Sequence, residues 1–127
     1  MKQLAICAAL VFASCAAHVT SAIQIDGSPF PASTCRSGQA NGFSGVELAD
    51  QHGRRLRLAQ NLNGTLAAVY FPPGSQVGVD LGGCFTMNTR AGVGVVNGVR
   101  NIEGGAVLAC RTQTHQVSGN VQFENCH

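Results

Sequence analysis

The sequence predicts an all-β domain, a small antiparallel β-sandwich or barrel-like meander of about eight or nine short strands. Short runs alternate apolar and polar residues, which is the period-2 pattern of strands with one buried face. Turn dipeptides containing Gly, Asn or Pro separate these runs, and no segment after the first twenty-odd residues has the composition of a helix. Sixteen glycines and a charged fraction of only 11% agree with this class.

The N-terminal residues have the features of an export signal. Lys2 precedes an apolar run, residues 4–17, that is too short to span a bilayer as a helix. Two cleavage sites are compatible with the sequence of this signal. The small residues 20–22 predict a signal peptide of residues 1–22, whereas the stretch VFASC at residues 11–15 resembles a lipobox, with Phe where Leu is usual. The second interpretation predicts a lipoprotein signal, residues 1–14, and a lipidated Cys15. On either interpretation, residues 23–127 are predicted to form a single all-β domain.

Export predicts a compartment in which disulfides persist. Four cysteines remain outside the signal, Cys35, Cys84, Cys110 and Cys126, and four cysteines allow three connectivities. If residues 118–119 lie in a hairpin loop, the last two cysteines face each other across it. We therefore expect Cys110–Cys126 and Cys35–Cys84.

The first half of the chain predicts strands in order. Residues 23–25 alternate before the turn dipeptide at 26–27, and residues 28–42, with two prolines and two glycines, predict an irregular loop held by Cys35. Residues 46–49 form the next alternating run and residues 50–53 a turn. Asn63-Gly64 then predicts a two-residue hairpin, which pairs Leu58 with Val69 and Leu56 with Phe71.

The second half continues the pattern. Pro72-Pro73 ends a strand, residues 77–81 alternate again, and Gly82-Gly83 predicts a bend. A second Asn-Gly, at residues 97–98, predicts a hairpin that pairs Val96 with Val99 and Val93 with Ile102. The last stretch, residues 106–127, predicts a hairpin that ties down the end of the chain.

The charges exclude several partners. Lys2 is the only lysine, so seven arginines face six acids after the signal, and nothing resembles a basic nucleic-acid stripe. Arg54, Arg55 and Arg57 are the densest positive cluster, suited to an anionic polymer or to the protection of a sheet edge. A membrane contact is expected only through a lipid anchor.

Catalytic signals are weak. His52, His115 and His127 have no metal-ligand spacing, and no nucleophile elbow or HExxH motif occurs. The absence of Trp and the single Tyr70 disfavour carbohydrate binding by stacking. We expect no enzyme activity, metal or cofactor.

The leading hypothesis is a secreted, periplasmic or lipid-anchored envelope module that binds an unknown macromolecule of the envelope or exterior, or has a structural role at the surface. The alternative is an inhibitor or immunity-type protein that blocks an extracytoplasmic enzyme with the loop at residues 28–42. A small hydrolase or metal-binding protein ranks third.

Overall fold

The computed structural model describes residues 16–96 and 98–127. Within these residues, ten strands form two antiparallel five-stranded sheets, and no α-helix is present. The strands are β1 (His18–Ile25), β2 (Ser28–Phe30), β3 (Thr34–Ser37), β4 (Gly45–Ala49), β5 (Arg55–Gln60), β6 (Leu66–Phe71), β7 (Val79–Gly82), β8 (Phe85–Val96), β9 (Val99–Arg111) and β10 (Gln116–Cys126), with a 3-10 helix at Gly38–Asn41. The predicted all-β class with antiparallel sheets is confirmed.

The two sheets differ in how the chain builds them. The terminal sheet contains both ends of the described chain and has the strand order β2-β1-β10-β9-β8. The middle sheet is a meander of consecutive strands, β3-β4-β5-β6-β7. Both sheets contribute to one core, because alternate residues of each strand point to the same side. The residues with no exposed surface in this core are Phe30, Val46, Leu48, Leu56, Leu58, Ala68, Val117, Val121 and Cys126.

The disulfides join the four predicted cysteines, but the predicted pairing is wrong. The bonds are Cys35–Cys126 and Cys84–Cys110, with Cα atoms 5.0 and 5.1 Å apart. The reason is the position of the last turn: residues 112–115 turn the chain, so residues 118–119 lie inside β10 rather than in a loop. Cys126 is therefore carried to the opposite end of the terminal sheet, where it meets β3 and joins the two sheets.

The register of the β5–β6 hairpin differs from the prediction by one residue. Arg55 pairs with Phe71, and Arg57 with Val69. Of the two residues Asn63 and Gly64, only Gly64 is left-handed, with φ of 87°. The Asn61 N–H donates to Thr65 O at 2.8 Å, which makes a three-residue loop instead of a type I′ turn. A slip of one residue exchanges the two faces of a strand, so Val69 and Phe71 point away from the core.

The β8–β9 hairpin follows its prediction only at the tip. Val96 pairs with Val99 as expected, but Ile102 pairs with Ala91 rather than Val93. A register shift between Ala91 and Val95 causes the difference, because extra residues on β8 move every later pair.

Two predicted boundaries also change. Residues 28–42 are β2, β3 and the 3-10 helix rather than an irregular loop. The first strand begins at His18 rather than Ile23, so β1 crosses the predicted cleavage site after Ala22. Most of the predicted signal, including Lys2 and the candidate lipidation site Cys15, lies outside the described residues.

Candidate functional site

The outer groove is a hollow of about 720 Å³ on the solvent side of the terminal sheet. It crosses four strands, β1, β10, β9 and β8. The residues that line it are His18, Thr20, Thr86, Met87, Asn88, Arg90, Glu103, Gly104, Gly105, Ala106, Val107, Gln122, Phe123 and Glu124. Its volume is within the range of sites that hold small ligands.

Strand alternation explains the polar lining. Thr86 follows the buried Phe85, and Gln122 lies between the buried Val121 and Phe123, so both side chains point outward. Asn88 is exposed and has the same parity as Thr86. In β9 the same face carries Gly105, whose missing side chain leaves the floor low. A methyl group added there would lie 2.8 Å from Gln122 Nε2, so glycine is needed for the present position of the amide. Phe123 lies beneath the floor and is buried.

The polar side chains of the outer groove are available to a ligand. Thr20, Thr86, Asn88 and Gln122 are exposed, and none of them makes a side-chain hydrogen bond to another described residue. Hydroxyl and amide groups offer both donors and acceptors. The groove therefore presents neutral groups of both kinds across three strands.

Charges of both signs lie at one end of the outer groove. Arg90 Nη2 is 2.7 Å from Glu103 Oε2, and the pair is largely solvent-exposed on the arginine side. His18 and Glu124 are register partners on β1 and β10 and are both exposed. The formal charges of the lining nearly cancel.

The predicted arginine cluster, Arg54, Arg55 and Arg57, lies at the middle sheet, and every member has an acidic partner. Arg54 Nε is 2.7 Å from Asp50 Oδ2. Glu47, only 7% exposed, lies 3.1 Å from Arg55 Nη1 and 3.0 Å from Arg57 Nη2.

Aromatic rings complete this network on the outer face of the middle sheet. The Arg55 guanidinium lies 4.1 Å from the centroid of the Phe71 ring, and the Arg57 guanidinium lies 4.6 Å from that of Phe43. Burial alone raises the pKa of Glu47, but the hydrogen bonds from both arginines outweigh it and hold that pKa below the ordinary 4.5. The cluster is therefore an internally neutralised surface.

The histidines are not gathered. His115 Nδ1 lies 2.8 Å from Asp26 Oδ2, and its ring meets Tyr70 edge-on with centroids 5.2 Å apart. Hydrogen bonds from the Gln116 N–H and then from His115 lower the pKa of Asp26. His52 contributes its backbone N–H to Asp50 Oδ1 at 2.9 Å.

This arrangement orients one imidazole and ties two turns together. In the described part of the chain, no group of three or more His, Cys, Asp or Glu side chains is placed to hold a metal ion. Neither the outer groove nor the second hollow described below is lined by His52, His115 or His127.

A second hollow, of about 750 Å³, lies between the β8–β9 hairpin and one end of the middle sheet. Phe43, Leu62 and Ile102 give it apolar walls. Beyond it, the hairpin tip, residues 91–96 and 98–101, carries Val93 and Val95 with 69% and 53% of their surface exposed. These exposed apolar side chains contrast with the polar lining of the outer groove.

Sequence reasoning missed the outer groove. Its residues come from four strands that are distant in the sequence, and their common face depends on registers that the sequence did not reveal. A usable signal was the period-2 spacing of Thr86 and Asn88 together with the side-chain-free Gly104-Gly105 pair.

Comparisons with known proteins add no assignment. No protein-family model matches the chain, and no curated protein or solved structure matches it. Over residues 16–96 and 98–127, no helix combines the length and the apolar character needed to cross a bilayer.

Proposed function

We propose that the chain is a non-catalytic binding module that acts outside the cytoplasm and holds a neutral glycan in the outer groove. The two disulfides support the compartment, because such bonds persist in oxidising surroundings. Export by a cleaved signal peptide and anchoring through a lipidated Cys15 are the two routes by which the domain reaches it.

The observation that supports this function best is the set of exposed, unpaired hydroxyl and amide side chains. Thr20, Gln122, Thr86 and Asn88 follow one another across the sheet face from β1 to β8. A sugar carries adjacent hydroxyl groups that donate and accept at once, and such groups match amides and hydroxyls better than they match charged or apolar surfaces.

The balance of charge favours a neutral ligand over an anionic one. The Arg90 guanidinium is already opposite the Glu103 carboxylate, and Glu124 adds a negative charge at the rim. An anionic polymer would have to displace the internal partners of the arginine cluster on the other sheet, at the cost of leaving Glu47 buried without them.

The affinity expected of this groove is modest. Each exposed hydrogen bond contributes about 0.5–1.5 kcal/mol net, and the groove offers no aromatic face for stacking because Phe123 is buried beneath it. Four such contacts of about 1 kcal/mol each correspond to a dissociation constant of about 1 mM for a short oligosaccharide. Tighter attachment would come from a polymer that engages many copies.

The experiment is a titration of the ¹⁵N-labelled protein, monitored by NMR. The probes are cello-, malto- and N-acetylchito-oligosaccharides. An extended Thr/Val peptide and a polyanionic saccharide are titrated in parallel as representatives of the other ligand classes. We expect a neutral oligosaccharide to shift the signals of Asn88 and Gln122, with saturation in the millimolar range.

Variants make the assignment specific. Asn88→Ala and Gln122→Ala should each weaken binding several-fold, whereas Gln24→Ala should not, because Gln24 is an exposed amide on the same sheet but outside the groove. Shifts caused only by the peptide, or shifts confined to the second hollow, would contradict the proposal.

An enzyme inhibitor is the second candidate, and the exposed valines of the hairpin tip favour it. The predicted inhibitory segment, residues 28–42, forms β2, β3 and the 3-10 helix, whereas Val93 and Val95 are exposed near the end of β8. Inhibition of a lysozyme or serine protease that Val95→Asp abolishes, and that Gln122→Ala leaves intact, would favour this function over glycan binding.

A further inference from the structure

We propose that export processing cuts the chain before His18, so that the whole of β1 remains in the mature protein. This inference rests on the proposed export of the chain but does not depend on the ligand. It assigns a processing site upstream of the described strand and disfavours a mature protein that starts at Ile23.

The first support is the position of β1 within the terminal sheet. β1 lies between β2 and β10, and its register runs from His18 opposite Glu124 to Ile25 opposite Val117. Five of these eight pairs, those of residues 18–22, lie before a cut after Ala22. Such a cut would leave the corresponding half of β10 as an unpaired edge, which is prone to pair with other chains.

The second support is the packing of the same residues. Val19 packs against the core from the position opposite Phe123, which is buried. Ser21 Oγ donates to Phe30 O at 2.8 Å and accepts from the Ile23 N–H at 3.3 Å. A cut after Ala22 would remove these contacts and expose Phe123 to water.

The outer groove gives a third support. His18 and Thr20 form its wall on β1. Without residues 18–22 the groove would be open along that side and would lose one of its four unpaired polar side chains. The processing site therefore decides whether the candidate binding site is complete.

The sequence immediately before β1 is compatible with such a cut. Cys15-Ala16-Ala17 places small residues three and one positions before His18, as a signal peptidase requires. The lipobox interpretation places the cut before Cys15, and it also leaves β1 whole. The mass of the mature N-terminus distinguishes these two forms of the same proposal.

The test is the N-terminal residue of the exported protein, determined by intact mass and terminal sequencing after expression of the full chain in a bacterium. We expect the mature chain to begin at His18 or earlier, with or without lipid mass. A chain that begins at Ile23 would overturn this inference and leave export intact. A precursor that stays uncut in the cytoplasm would overturn both export and the inference.

A variant sharpens the test. Ala22 is exposed on the outer face of β1, so Ala22→Arg should be tolerated by the fold, yet it blocks a cut that needs a small residue at that position. We expect the exported amount and the mature N-terminus to be unchanged. Accumulation of the precursor of Ala22→Arg would contradict the inference.

Discussion

The outer faces of the two sheets both carry polar side chains, but the hydrogen bonds of those side chains go to different places. On the middle sheet, Glu47 is shared by Arg55 and Arg57, and Phe71 lies against both guanidinium groups. On the terminal sheet, Asn88 and Gln122 face solvent without a partner among the described residues. The polar groups of the first face are paired with one another, and we call it the closed face. Those of the second face are free to bind a ligand, and we call it the open face.

This difference shows that the density of charge along a sequence is a poor guide to a binding surface. The arginine cluster is the most charged stretch of the chain, yet its charges are balanced by Glu47, which the register places opposite Arg57, and by Asp50 in the turn before Arg54. The neutral amides look unremarkable in the sequence. They become a candidate site because four strands place them on one concave face.

Both faces depend on the sheets remaining stacked, so the largest expected effect is the loss of the disulfide between them. Cys35–Cys126 closes a separation of 91 residues, and Cys84–Cys110 closes one of 26. In the chain-entropy model, we expect Cys35→Ala with Cys126→Ala to lower the free energy of unfolding by about 4.5 kcal/mol. Removal of the shorter link should cost about 3.5 kcal/mol.

Denaturant unfolding of the two double variants measures this order. An equal or larger loss for Cys84→Ala with Cys110→Ala would show that joining the two sheets is not the main role of Cys35–Cys126. The glycan titration of the same variants then shows whether the outer groove still binds when the disulfide between the two sheets is absent.

The second largest effect should distinguish the two faces directly. Glu47→Ala leaves two guanidinium groups without their shared carboxylate, and we expect a loss of about 2–3 kcal/mol in the free energy of unfolding. Glu103→Ala removes the partner of the more exposed Arg90 and should cost less than about 1 kcal/mol. Similar losses in thermal unfolding would contradict the contrast between the closed and open faces.

Sequence patterns predicted the class of fold because alternation and turn residues act locally. They did not predict the β5–β6 register, because β6 is apolar at both parities: Ala68 and Tyr70 point inward, and Val69 and Phe71 point outward. A one-residue change in loop length decides between these faces, and Asn-Gly is compatible with either loop.

The disulfides and the candidate site were harder to predict for a related reason. Cys126 reaches Cys35 only because β10 continues without a turn from Gln116 to Cys126, and that continuity depends on the turn at residues 112–115. The outer groove requires the neighbours of β10 on both sides. Contacts between strands that are distant in sequence are therefore what the sequence patterns left undetermined.

A third effect concerns a buried amide of the terminal sheet. Asn101 has no exposed surface, and its Nδ2 and Oδ1 make no hydrogen bond within the described residues. Asn101→Asp would bury a charge without a partner, and we expect a loss of about 2 kcal/mol at pH 7 that decreases as the pH falls, because the protonated acid is neutral. Asn120→Asp, exposed on the same sheet, is the control and should change stability little.

The smallest effect also decreases as the pH falls, and it belongs to the outer face of the middle sheet. Because the pKa of Glu47 is below its ordinary 4.5 in the folded chain, its carboxylate stabilises the fold above that pH, and this contribution is lost as the pH falls through the lowered pKa. Glu47→Gln lacks this contribution, so the melting temperatures of the wild type and the variant should converge below about pH 4.5, whereas the difference for Gln24→Ala should stay constant. A gap that widens in acid would mean that the arginines do not hold Glu47 in its charged form.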